Sequence, residues 1–144
     1  MVRALVESFL GPIGVQILYF YEEHSLFINS IVLIYGFVMV FSWVNLSGIR
    51  KRLIGAMVDQ MREHPDIHAG AKIKRVLREI EIPWESVIDE RRYPFVAPQM
   101  ALWPRRKSVE VVKALLSPEE LAAEALEELA SLASPPDSEA DPDG

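Results

Sequence analysis

His64 and His68 stand four residues apart, with Glu63 and Asp66 close by. On an uninterrupted helix that spacing puts two imidazoles on one face, where they can hold a metal ion. Pro65 lies between them and breaks the regular helix, so the pair is expected as two polar residues of a turn with no metal bound. The cluster Glu22, Glu23 and His24 could touch ions, but a solvated turn is the simpler reading. The chain has no cysteine, which excludes disulfides, thiol catalysis and zinc–thiolate sites. It contains no G-x-x-x-x-G-K, G-x-G-x-x-G, G-x-S-x-G or H-E-x-x-H pattern, and its seven glycines form no phosphate cradle. Basic residues near Tyr93 and Trp103 raise the question of nucleic acid. The net charge of −6 argues against it. The expectation is a protein that is not an enzyme, with no cofactor, no metal and no nucleic-acid partner.

Without chemistry to organise the reading, the elements themselves carry it. Charge is sharply segregated along the 144 residues. Residues 1–46 hold one Arg and three Glu, residues 47–116 hold fourteen Lys/Arg against nine Asp/Glu, and residues 117–144 hold nine acids and no Lys or Arg. Blocks of this kind argue for segments with different surroundings. Leu26 to Leu46 is 21 residues without a charge. As a helix it measures roughly 31 Å, about one hydrocarbon core. Thirteen of these residues are Leu, Ile, Val or Phe. At about −0.3 to −0.6 kcal/mol each they favour insertion by about 4–8 kcal/mol before the cost of Asn29, Ser30, Ser42 and Asn45. The run starts too far along the chain and is too long for a signal peptide, and no A-x-A site follows it. Arg50, Lys51 and Arg52 follow at once and are expected at the membrane surface, while Glu22 and Glu23 precede the run. The positive-inside rule then puts the C-terminal region in the cytoplasm, with the protein in the inner or plasma membrane.

Residues 4–21 are nearly as apolar, but Glu7 and the run Gly11-Pro12-Ile13-Gly14 interrupt them. Two arrangements compete. One is a first membrane helix that makes a hairpin through a loop at Glu22–Ser25, with Arg3 inside. The other, which is the expected one, is a broken helix lying at the outer interface or in a groove of a larger membrane protein. A broken backbone at membrane depth is tolerated only where protein or water satisfies it. Within the main run, Asn29, Gly36 and Trp43 recur every seven residues, with Leu33 and Val40 on the same stripe. A small Gly permits close approach of another helix and an Asn amide offers a bond across it, so this stripe is the expected packing seam.

Beyond the span, Ile49, Leu53, Met57 and Met61 predict a helix that ends near His64-Pro65. Asp66 is a candidate cap for the next one, in which Ile73, Val76, Leu77 and Ile80 form an apolar stripe among Lys72, Lys74, Arg75 and Arg78. Pro83 should end that helix and start a short one over Trp84–Glu90. Pro94, Pro98 and Pro104 rule out helix over 91–107. That segment reads as an extended arm anchored by Tyr93, Phe95, Met100, Leu102 and Trp103. The arm either docks on a partner or wraps back over the chain's own helices. Ser108 can cap a short helix to Leu116. Ser117, Pro118 and Glu120 predict a capping box opening an acidic helix to about Ala133, with Leu121, Ala125, Leu129 and Leu132 on one side. Residues 134–144 lack any apolar pattern and are expected to be disordered.

The expected fold class is mainly α and membrane-anchored. It comprises an apolar segment 1–25, a transmembrane helix 26–46, a basic helical cytoplasmic region 47–116 with a Pro-rich arm, an acidic amphipathic helix 117–133 and a tail 134–144. The expected role is that of a small non-catalytic accessory subunit of a multi-subunit membrane complex, of transporter or respiratory type. It would pack on a larger integral membrane protein and brace its cytoplasmic face. A membrane-tethered adaptor or self-associating scaffold, recruiting a soluble partner through the acidic helix, is the alternative. The lipid bilayer and possible homo-oligomers complete the expected partners.

Overall fold

The structure is a computed structural model. It describes the backbone of residues 2–64, 66–68 and 70–133, and the side chains of that set from 11 onward together with Ala4 and Ser8. The expectations for the side chains of Arg3 and Glu7 and for the tail 134–144 lie outside the described residues. The chain is mainly helical, 75% helix, and divides into two compact units, Met1–Val40 and Phe41–Gly144. Helix α1 covers Val2–Glu63 and departs from helical dihedrals at two places only, Gly11 and His24.

In the unit Met1–Val40, Gly11 has φ 63° and ψ −166° and is followed by Pro12. A positive φ of this size suits a residue without a Cβ, and proline removes a donor from the next turn. The break read from Gly11-Pro12 is therefore present. The loop at Glu22–Ser25 that the competing hairpin arrangement needs is not: these residues stay helical and only His24 deviates, with φ −111° and ψ 16°. The reversing turn that a two-helix membrane hairpin requires is missing. The His24 ring stacks on Phe20 at 4.6 Å, and its Nδ1 lies 3.1 Å from the Phe20 carbonyl oxygen. Most of the described large apolar side chains of this unit are exposed, Leu26 at 85% and Ile13 at 71% among them. By length and composition α1 is a helix able to cross a membrane.

The unit Phe41–Gly144 is built around the C-terminal part of α1. Ile49, Leu53, Met57 and Met61, spaced four apart, are each at most 1% exposed. The periodicity thus marks the central face of the core. Helix α1 stops at Glu63, as the proline at 65 dictates. Helix α2 spans Ile73–Glu79 and α3 spans Trp84–Glu90. Strands β1 (Phe95–Val96) and β2 (Arg105–Arg106) form an antiparallel pair, with Phe95 opposite Arg106 and Val96 opposite Arg105. Helices α4 (Val109–Leu115) and α5 (Pro118–Ala133) complete it. The elements α2 and α5 pack together, as do α3 and α4.

Several local expectations shift. Asp66 does not cap α2; Lys72 occupies the cap position without a side-chain hydrogen bond. Ser108 caps α4 as read, accepting from the Val111 amide at 3.3 Å. The Ser117 hydroxyl donates to Glu119 Oε2 at 3.3 Å, where a capping box with Glu120 was expected. On α5, Leu121, Ala122, Ala125 and Leu126 are buried and Leu129 is partly so, whereas Leu132 is 56% exposed. The apolar stripe therefore leaves the core before the helix ends.

Charge blocks of opposite sign meet inside this unit. Arg50 pairs with Glu124 of α5, and Arg52 pairs with Glu90 of α3. One of these pairs ties the acidic helix to the basic region of its own chain; the other lies within that region. Pairs this exposed contribute little stability. The core supplies the remainder.

Candidate functional site

The uncharged run of α1 ends on two polar residues that the fold buries. Ser42 is fully buried and Asn45 is 4% exposed. The Asn45 amide donates to the Tyr93 carbonyl at 3.1 Å and to the Phe95 carbonyl at 2.9 Å. The Ser42 carbonyl accepts from the Ala97 amide at 3.3 Å. Tyr93 to Ala97 is thus fastened along one side of α1, with Val96 and Ala97 driven into the core. Burying an amide is tolerable only when its donors are used, and here two backbone carbonyls use them.

Lys107 closes the other side of the arm. Its amide donates to the Pro94 carbonyl at 2.7 Å, and its ammonium reaches the Ile88 carbonyl at 2.7 Å and the Arg91 carbonyl. These carbonyls lie at the C-terminal end of α3, where a cation is favoured. The Arg91 guanidinium lies on α1 at Gly48, in the space a Cβ at that position would enter. Its Nε is buried without a hydrogen-bond partner.

The Pro-rich arm is therefore a hairpin, and the five expected anchors fall into two groups. Tyr93 and Phe95 belong to the root: their rings are 6.0 Å apart, and Tyr93 lies 6.1 Å from Phe41. Met100, Leu102 and Trp103 belong to the tip and are 92%, 77% and 75% exposed. A turn closed by the Ala101 amide on the Pro98 carbonyl, 3.1 Å, shapes the tip. Arg105 and Arg106 follow it, both exposed. The root wraps its own chain, while the tip presents apolar side chains outward. A side chain of this size left in water forgoes about 1.5–3 kcal/mol of burial. A cleft of about 300 Å3 runs beside the root, lined by Trp43, Leu46, Ser47, Arg50, Pro98, Gln99, Leu115 and Leu116.

The expected packing seam lies on α1. Leu33 is 62% exposed, Val40 55% and Trp43 42%, and Asn29 and Gly36 are exposed too. Nothing lies within 4 Å of a Cβ added at Gly36. Asn29 Oδ1 accepts from the Tyr21 hydroxyl at 3.0 Å, so its acceptor is used within the chain. Phe27 and Ile34, off the stripe, are 67% and 61% exposed, as much as Leu33. Composition marks the stripe; exposure does not. Of the expected membrane-surface cations, Arg50 and Arg52 are engaged by carboxylates, and Lys51 is exposed.

Elsewhere a cleft of about 720 Å3 is lined by Gln60, residues 81–86 and Lys113. Its Ser86 hydroxyl donates to the Pro83 carbonyl at 3.2 Å and Lys113 Nζ sits 5.7 Å from the centre of the Trp84 ring. His64 and His68 are exposed and follow the end of α1. Among the described residues no group of three or more His, Asp or Glu could hold a metal ion. Sequence reasoning missed Ser42, Asn45, Gly48 and Lys107. Two polar residues closing an apolar run were the available signal, and they were read as a cost of insertion. No protein-family model, curated protein or solved structure matches this chain.

Proposed function

We propose that this chain is a small non-catalytic accessory subunit of a multi-subunit membrane complex, of transporter or respiratory type. In this reading α1 crosses the inner or plasma membrane over Leu26–Leu46, with the C-terminal region cytoplasmic. The basic cluster after the run supports that orientation. The observation that carries the reading is the exposed apolar surface of α1 ahead of the span, Ile13, Ile17 and Phe20, next to the break at Gly11-Pro12. Gly11 lies about 22 Å before Leu26 along the helix, beyond the hydrocarbon of a 26–46 span. In this reading a larger membrane protein covers that surface. The stripe Asn29, Leu33, Gly36, Val40 and Trp43 offers the second contact, and the unit Phe41–Gly144 braces the partner's cytoplasmic face. Purification of the tagged protein from native membranes in mild detergent should recover larger membrane proteins in fixed ratio. Recovery of the lone polypeptide overturns the reading.

The alternative, a tethered adaptor or self-associating scaffold, draws support from the exposed row Glu119, Glu120, Glu127 and Glu128 on α5. The apolar face of that helix is spent on its own core, so recruitment would be electrostatic. Charge reversal at Glu127 and Glu128 should then release a soluble partner while the membrane complex persists.

A further inference from the structure

We propose that the hairpin tip Met100–Trp103 inserts into the cytoplasmic leaflet of an anionic bilayer, with Arg105 and Arg106 on headgroup phosphates. The inference rests on α1 crossing the membrane as proposed above, and adds a second, independent contact with lipid. The depth of the tip follows from where its root is fastened. The Ala97 amide is bonded to the Ser42 carbonyl, and Asn45 holds Tyr93 and Phe95. Ser42 and Asn45 lie in the last two turns of the uncharged run. The root therefore sits where the span leaves the hydrocarbon.

From Ala97 the chain has seven residues, 98–104, before β2 begins. Its midpoint is at most three or four residues from the root, about 10–14 Å at full extension. The headgroup layer is roughly 5–7 Å thick on each side. A hairpin lying along that layer or leaning toward the hydrocarbon puts its tip in it; only one pointing straight into the cytoplasm would carry the tip beyond it.

Its composition fits the layer. Met100 and Leu102 are apolar, Trp103 is an interfacial aromatic, and two arginines follow with exposed heads. Arg50 and Arg52 are held by Glu124 and Glu90, so Arg105 and Arg106 are better placed to meet phosphates than those two arginines; Lys51 of that cluster is exposed too. A protein occupant fits less well. Three side chains cover roughly 500 Å2 at most, short of the roughly 800 Å2 per partner that a standard interface buries.

The absence of cysteine makes the test clean. The full chain carrying Leu102→Cys or Leu33→Cys is spin-labelled and reconstituted in vesicles of phosphatidylcholine with phosphatidylglycerol. Relaxation by oxygen, which concentrates in lipid, is compared with relaxation by a water-soluble nickel chelate. Leu102 is 77% exposed, so its replacement leaves the core intact, and an unchanged melting curve checks this. Oxygen should dominate at both labels. Omitting phosphatidylglycerol, or introducing R105Q/R106Q, should move the position-102 label toward the chelate. Chelate access at 102 with oxygen dominance at 33 overturns the proposal and leaves the span intact. Chelate access at 33 overturns both. Shielding of 102 from both reagents means that protein covers the tip, which also overturns it. Indifference to phosphatidylglycerol and to R105Q/R106Q removes the arginines from the contact.

Discussion

Asn45 joins three pieces of chain with one side chain: α1, the exit from α3, and β1. Replacing it with Ala removes two part-buried hydrogen bonds, those to the Tyr93 and Phe95 carbonyls. Such a loss costs about 1–3 kcal/mol. Thermal unfolding of N45A should show that decrease, and amide exchange should rise over 95–106 before it rises in α5. Arg52 acts more gently. Its guanidinium, hydrogen-bonded to the Glu90 carboxylate, holds that carboxyl below the usual range. A depressed carboxyl contributes stability above the ordinary carboxylate range and loses it as pH falls through the lowered value. In R52Q the Glu90 titration, followed by NMR, should move up toward the ordinary value, and the pH dependence from this pair should vanish. Neither contact was legible in the sequence. Asn45 and its acceptors are about fifty positions apart, and no local pattern ties an Asn in an apolar run to a carbonyl in a Pro-rich segment.

At the scale of elements, local rules worked where the cause was local. Pro65 set the end of α1, Pro83 placed the start of α3, and Ser108 placed α4. They failed where tertiary packing decided. Asp66 is displaced from capping because α2 starts at Ile73, and the arm became a hairpin because α1 supplied partners for its backbone. The sequence could mark the arm as non-helical and apolar, but could not divide its anchors between root and tip. Gly36 is the informative position on the span. Its surroundings are open, and Leu is a better helix former than Gly by somewhat under ~1 kcal/mol. Gly36→Leu should therefore leave insertion and the melting of the folded unit unchanged, while reducing the partner recovered in mild detergent. Unchanged recovery would make the span a plain anchor.

Across the whole molecule, charge segregation reports folding as well as location. The acidic block 117–133 and the basic block before it read as surfaces seeking partners, and through Arg50–Glu124 and the packing of α2 on α5 they find each other. A truncation after Leu116 is thus a test of stability. It removes Leu121, Ala122, Ala125 and Leu126 from the core. Each large core side chain deleted costs about 2–5 kcal/mol, of the order of a small domain's total stability. The truncated protein should lose its cooperative unfolding transition while still inserting.

The proposed packing of the span on another membrane protein places Leu33 at a protein contact and Ile31 toward lipid. Photocrosslinking groups introduced at Leu33, on the stripe, and at Ile31, on the opposite face, test it in native membranes. A discrete adduct with one larger membrane protein is expected from position 33 and lipid adducts from position 31. Lipid adducts alone from both positions would contradict it.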